Sequence, residues 1–374
     1  MLTTTPPRAH RDAAWYARPA ARAWISGGRP ACEATAFHVT LPGYAPTPLR
    51  EMPALAAELG VGKVFVKDES ARMGLPAFKI LGASWAAYRA LVGDRGPMTL
   101  EELAAATPAG TRLVTATEGN HGRAVAHMAR LLGLPARIFV PAAVDPAAVR
   151  AIAAEGAEVG TVPGSYDEAV RAAAGEAASV PGSVLVQDTA WPGYVDVPRW
   201  IVEGYATLYY EIDDQLAAAG AAPAALVAVP MGVGSLAQAA VAHYRACHGG
   251  TVPPPPTLLG VEPGSAACVL AALRRGEHGT VPTGTSVMAG LNCGTPSSLA
   301  WPYLRDGLDA AVAVGDAEAV RAVRDLAALG VTAGPSGAAS LAGARAVLLD
   351  PDRRAATAAG PESTVVLLVT EGAR

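Results

Sequence analysis

Apolar residues fall into two rhythms along this chain. Short runs dense in Val, Leu and Ile, at residues 64–67, 112–115, 137–140, 184–187, 226–229, 257–261 and 365–369, have the length and β-branched content of buried strands. Between them lie longer stretches, among them 122–132, 146–155, 166–178 and 317–328, in which Ala, Leu, Arg and Glu set apolar positions at helical spacing. This alternation predicts βαβ units, an α/β fold built on mostly parallel sheets with helices covering their faces. Residues 93–108 read as a helix-containing excursion, and the prolines within 252–256 impose an extended segment. Ligands of open parallel sheets bind beyond the carboxyl ends of strands, so the turns that follow the strands are where chemistry is expected.

Composition narrows the class. The 374 residues are 51% hydrophobic and 17% charged, enough apolar material for two packed domains and too apolar for a disordered chain. A net charge of −4 without any basic block argues against nucleic acid or an anionic membrane as partner, leaving a small molecule. The uncharged stretch 215–244 has the length of a membrane span, but Pro223, Pro230, Gly232 and Gly234 interrupt it, so it reads as a buried strand followed by a Gly-rich turn. Cys32, Cys247, Cys268 and Cys293 form no C-x-x-C pair, and the start of the chain lacks the apolar core of a secretory signal, with only slight transit-peptide character in its arginines. The expectation is a cytoplasmic protein. His243, Cys247 and His248 lie within about one helical turn, but with a single cysteine and no fourth ligand they read as a surface face, and no metal is expected.

Three turns carry the candidate chemistry. After the run at 226–229, Gly232-Val233-Gly234-Ser235-Leu236 opens an Ala-rich helix, where glycines admit an anion to unpaired amides and the positive end of the dipole. The sequence lacks the Gly-Lys-Ser/Thr of a P-loop and the third glycine and acid of a dinucleotide fingerprint; a merely structural βα turn is the alternative. After 112–115, Glu118-Gly119-Asn120-His121-Gly122-Arg123 opens another helix, with Asn120 offering a donor and an acceptor to a planar ligand and His121 a neighbour only. Lys79, flanked by Phe78 and Ile80, is the candidate Schiff-base lysine, because desolvation lowers its pKa and frees the amine. Lys67 reads as a strand-end surface residue.

In this order the three motifs resemble the fold type II pyridoxal-phosphate enzymes, the group of threonine dehydratases and tryptophan synthase β-chains. The resemblance narrows through 44–49, 67–70, Ala77-Phe78-Lys79, 119–123, Gln187-Asp188-Thr189-Ala190-Trp191 with Gly193-Tyr194, 288–291, 336–338 and 370–372, which are similar to diaminopropionate ammonia-lyase. It covers the chain from about Leu41 to the C-terminus. It implies two three-layer αβα domains, a smaller one at 63–189 and a larger, cofactor-binding one at 1–62 and 190–374, and a homodimer. It also implies pyridoxal 5'-phosphate bound covalently at Lys79 and contacted by Phe78. Asn120 would bond the ring hydroxyl, the phosphate would rest on Gly232, Val233, Gly234, Ser235 and Leu236, and Thr370 would face the pyridine nitrogen. A hydroxyl there leaves that nitrogen largely unprotonated, which favours elimination of a leaving group.

The reaction implied is β-elimination from 2,3-diaminopropionate, yielding pyruvate and ammonia. Asp188 stands where the family holds the β-ammonium, with a strand-end cap as its structural alternative. Glu118 stands where the family has the aspartate that acts as base on the D-isomer, so the carboxylate is displaced by one methylene. Pro335 replaces a usual glutamate. A serine/threonine dehydratase or a β-replacement enzyme is the alternative within the class; a dinucleotide-binding oxidoreductase or a non-catalytic binding protein is the alternative outside it.

Overall fold

The structure, a computed structural model, describes residues 14–27, 32–93, 95–246 and 254–373. Eleven strands are found among them: β1 Trp15–Ala17, β2 Leu49–Glu51, β3 Lys63–Asp68, β4 Arg112–Ala116, β5 Ala136–Pro141, β6 Glu158–Val162, β7 Ser183–Leu185, β8 Ala224–Pro230, β9 Thr257–Pro263, β10 Ala310–Val314 and β11 Thr364–Val369. They form a seven-stranded sheet ordered β1-β10-β9-β8-β11-β3-β2 and a four-stranded sheet ordered β6-β5-β4-β7. Pairing is parallel throughout except at the two edges of the larger sheet, where β1 and β2 run antiparallel to their neighbours. The expected α/β architecture with mostly parallel sheets is therefore present.

The chain divides into two compact units. The larger comprises the described residues within Met1–Pro30, Pro46–Ala71 and Leu208–Arg374. Its strands are apolar on both faces, as a covered parallel sheet requires. Val64, Val66, Leu226, Ala228, Leu259, Val261, Val365 and Leu367 form one core with the helices Pro53–Leu59, Asp316–Ala328 and Pro335–Leu348. The alternate residues Phe65, Val227, Val229, Leu258, Val366 and Leu368 are equally buried on the other face, where Ser235–Tyr244 and Cys268–Arg275 pack. Helix Pro335–Leu348 is buried from Ser336 to its end; its many Ala and Gly residues present the small side chains that a central position admits.

The smaller unit comprises the described residues within Ala31–Ala45 and Arg72–Thr207. Val114, Ala116 and Phe139 pack against Ala169 and Ala173 of helix Tyr166–Ser179, and helix Asn120–Leu131 also packs on β4 and β5. Helix Lys79–Val92 packs on Asn120–Leu131 in turn.

These units shift the expected boundaries. Residues 63–71 belong to the larger unit, because β3 pairs residue for residue with β11, a partner about three hundred positions away. Residues 32–45 and 190–207 join the smaller one. Four strands lack the expected signal. β1 and β2 have three residues each, β6 is a half-exposed edge, and β10 reads AAVAV, whose alanines have little strand propensity. The run at 184–187 stops being strand at Leu185. Residues 93–108 do contain a helix, Leu100–Ala106. Part of the segment expected to be extended at 252–256, and the start of the chain, lie outside the described residues, as do Cys247 and His248; His243 pairs with Asp213 at 2.7 Å. No helix among the described residues is long and apolar enough to cross a membrane.

Candidate active site

In the smaller unit Lys79 is the first residue of its helix, entered through Phe78. Its Nζ lies 5.6 Å from the Phe78 ring centroid and 5.9 Å from that of Tyr205, and donates a hydrogen bond to Asp188 Oδ2 at 3.0 Å. Burial by itself lowers the pKa of this amine, but Tyr205 and the Asp188 carboxylate outweigh it and hold the ammonium above its ordinary range. The expectation that desolvation frees the amine is thereby corrected. The partner that cancels the desolvation lies 109 positions along the chain, and no local reading reveals it.

Asp188 is built into a frame. Its Oδ1 accepts from the Tyr166 hydroxyl and from Gln187 Nε2, each at 3.2 Å. Gln187 is itself fixed, its Oε1 accepting from Ala116 N at 2.9 Å and Thr115 Oγ1 at 3.1 Å. Its backbone amide donates to the Tyr194 hydroxyl, which donates to Leu185 O, and Tyr194 stacks on Trp191 with centroids 4.3 Å apart. The run Gln187 to Tyr194 is thus a loop folded back to aim one carboxylate. Burial would raise the Asp188 pKa, but the Lys79 ammonium and the Tyr166 hydroxyl hold it well below the usual carboxylate range. The same charges act on Tyr205, whose phenol burial pushes up to about 12.

The turn after β4 is closed by Thr117, whose Oγ1 accepts from the amides of Gly119 and Gly122. A Cβ at Gly122 would stand 2.3 Å from Thr117 Cγ2, so only glycine closes this turn. Asn120 begins the helix Asn120–Leu131, and Glu118 sits exposed on the turn just before it. His121 is buried, with Nε2 2.7 Å from Val186 O and Nδ1 3.9 Å from Asp188 Oδ2. Of the expected residues, the smaller unit therefore brings Lys79, Phe78 and Asp188 together, with Glu118 and Asn120 on the turn that carries His121. Tyr166 and Tyr205 are unexpected there, while His121 is expected only as a neighbour and Gln187 only as part of the motif that carries Asp188. A Gln-Asp pair ending a strand run was the available signal for Gln187; the two tyrosines had none.

In the larger unit β8 leads through residues 231–234 into helix Ser235–Tyr244. Gly234 holds a φ of +98° at the N-cap and no side chain caps the helix, so its first amides are offered as bare donors. A Cβ at Gly232 would crowd Cys293 Sγ at 3.0 Å and Gly290 O at 3.3 Å. Ser336 Oγ accepts from Gly290 N, and Thr370 follows β11 as a buried residue beside Gly337. Lys67 corrects its surface reading. It is fully buried, with Nζ donating to Glu211, Thr47 O and Gln215 at 2.6–2.9 Å.

These groups suit pyridoxal phosphate. A lysine at a helix entrance supplies the amine, a side-chain-free glycine turn accepts a phosphate, and a buried hydroxyl at Thr370 suits an uncharged ring nitrogen.

The profile of the pyridoxal-phosphate dependent enzyme family matches residues 40–371. Diaminopropionate ammonia-lyase of Salmonella typhimurium is 37% identical over 308 residues, covering 79% of this chain and 75% of the relative. Its counterpart from Escherichia coli K12 is 35% identical, covering 90% and 86%. The crystal structure of diaminopropionate ammonia-lyase from Escherichia coli in complex with D-serine superimposes with a TM-score of 0.84 at 32% identity, over 96% of this chain and 94% of that one. The chain belongs to the pyridoxal-phosphate dependent enzymes of fold type II, in the diaminopropionate ammonia-lyase family.

Proposed function

We propose that this enzyme eliminates ammonia from 2,3-diaminopropionate, giving pyruvate and two ammonia molecules, one from each amino group, with uptake of one water. One observation carries this reading beyond the family: the Asp188 carboxylate, kept ionised, already grips an ammonium, that of Lys79, at 3.0 Å. Pyridoxal phosphate would draw the Lys79 amine into its own linkage, so that the second ammonium of a substrate could pair with the Asp188 carboxylate. A β-hydroxyl cannot. Pyridoxal phosphate, when bound, supplies the electron sink that makes the substrate's α-proton acidic.

The chain's own residues divide the remaining tasks. Lys79 would hold the cofactor covalently, with Phe78 beside it, and Asn120 would bond its ring hydroxyl. The amides of the turn Gly232, Val233, Gly234, Ser235 and Leu236 would hold its phosphate, and Thr370 would serve its ring nitrogen. Asp188 binds the β-ammonium and Glu118 serves as base toward the D-isomer. The protein works as a cytoplasmic homodimer, a reading supported by family resemblance and by the dispersed cysteines.

The test is to incubate the cofactor-loaded enzyme separately with L- and D-2,3-diaminopropionate and L- and D-serine and to measure pyruvate and ammonia. Release from diaminopropionate, abolished in Lys79→Ala, is expected. Conversion of serine but not diaminopropionate overturns the substrate in favour of a dehydratase, and four inert substrates point to β-replacement or another β-substituted amino acid.

A further inference from the structure

The His121 ring is buried beside the Lys79–Asp188 pair, yet half of its hydrogen-bonding capacity is unused. Its Nε2 lies 2.7 Å from the Val186 carbonyl, which can only accept, so Nε2 carries the proton. Burial, together with the nearby Lys79 ammonium, holds the imidazole pKa below its usual value, and the ring is neutral at physiological pH. Nδ1 is then a bare acceptor. It is buried, has no hydrogen-bond partner, and lies 3.9 Å from Asp188 Oδ2, itself an acceptor. His121 Nδ1 is thus a buried acceptor without a donor, beside an oxygen that takes its own hydrogen bond from Lys79 Nζ at 3.0 Å, and a group with several N–H bonds placed between them would serve both.

We propose that His121 is a specificity-determining residue: its Nδ1 and Asp188 Oδ2 together form the receptor for the substrate's leaving ammonium. This rests on the reading of diaminopropionate as substrate and adds to it the reason that an amine leaves and a hydroxyl does not. In the elimination a base takes the α-proton and its electron pair becomes the Cα–Cβ double bond. The Cβ–N bond breaks with its pair going to nitrogen, so the –NH3+ group departs as neutral NH3 and needs no added proton. A serine hydroxyl leaves as water only if an acid protonates it. Nδ1 has no proton to give, and the Nε2 proton is committed to Val186. The site thus holds its leaving group by accepting hydrogen bonds and supplies none.

The experiment uses the cofactor-loaded full-length enzyme with two substrates, 2,3-diaminopropionate and 3-chloroalanine, whose chloride leaves without any N–H donor. His121→Gln keeps a donor toward Val186 while removing the acceptor at Nδ1; His121→Asn keeps an acceptor near Nδ1. Because a hydrogen bond to a charged group is at stake, His121→Gln should lower kcat/KM for diaminopropionate by about tenfold or more, mainly through KM, while 3-chloroalanine stays within about twofold. His121→Asn should recover most of the loss, with the bound-cofactor absorbance and Tm near wild type in both. Equal losses on the two substrates in His121→Gln, or an Asn variant as impaired as Gln, would assign the ring a purely structural role and overturn the proposal. A wild-type enzyme inert on diaminopropionate but active on 3-chloroalanine sinks the substrate reading, and this inference with it; an active wild type with undiscriminating variants sinks this inference alone.

Discussion

Asp188, half-buried, and Glu262, fully buried, are carboxylates that follow or end a strand of a parallel sheet, and the protein drives them in opposite directions. In the smaller unit Asp188 faces an ammonium at 3.0 Å and accepts from a phenol and an amide side chain, and its pKa is depressed. In the larger unit Glu262, the penultimate residue of β9, accepts from backbone amides, Val269 N at 2.8 Å and Leu270 N at 2.7 Å. Burial wins there and pushes its carboxyl up to about 8. Desolvation opposes charge at both places. What separates them is a full countercharge, which backbone dipoles do not replace. One carboxylate is kept as a binding group for cations, and the other is a neutral cap on helix Cys268–Arg275.

The largest expected effect comes from removing the countercharge. Lys79→Ala should lower activity by about a thousandfold or more through loss of the cofactor linkage, read as pyruvate release and as loss of the lysine–cofactor absorbance band. It should also move Asp188 toward the behaviour of Glu262, with a carboxyl that takes up a proton at higher pH; a Lys79→Ala protein whose acid-side stability matches wild type contradicts this pairing. Next comes Asp188→Asn, which keeps the hydrogen-bond frame and removes the charge, and should cost about a hundredfold in kcat/KM for diaminopropionate.

The sign of the pH dependence follows from the direction of each shift. A depressed Asp188 pKa contributes stability that is present above the ordinary carboxylate pKa and is lost as pH falls below it, so Asp188→Asn should flatten the acid limb of Tm against pH. A raised Glu262 pKa contributes stability that is fully present below the unfolded value of 4.5 and is lost as pH rises toward about 8. Glu262→Gln should therefore remove a decline in Tm across that interval, and an unchanged slope in the variant would show that the cap is charged at neutral pH.

A smaller effect is expected at the glycine turn. Gly234→Ala places a Cβ at a φ of +98° and 2.5 Å from Leu304 Cδ1, and should weaken cofactor retention by about tenfold, measured by titrating apoenzyme. The smallest is Glu118→Asp. By shortening the carboxylate by one methylene it should shift the D- to L-diaminopropionate rate ratio by severalfold, on the order expected for changed reach of a base, with little change in Tm.

Local chemistry made much of this legible. The strand-turn-helix at Gly232–Leu236 declares itself through glycines that only a close backbone approach requires, and Lys79 and Asp188 stand in motifs of restricted composition. Lys67 was misread because a lysine at a strand end is ordinarily solvated; its burial depends on Glu211, Thr47 and Gln215, brought to it from distant segments. Strand β10 was missed because its alanines are set by packing against the helices on the sheet and not by strand propensity.

By itself the sequence determined the alternation of strands and helices, the parallel class of the sheets, the glycine turns and the lysine, since each is written in neighbouring residues a few positions apart. Only the tertiary structure decided that β3 joins the C-terminal strand in the larger sheet, that Lys79 is a paired ammonium, and that His121 turns a bare nitrogen toward Asp188. Those facts depend on charge, burial and hydrogen-bond geometry among residues far apart in the chain, and the protonation state of a buried group belongs to its surroundings rather than to its residue type.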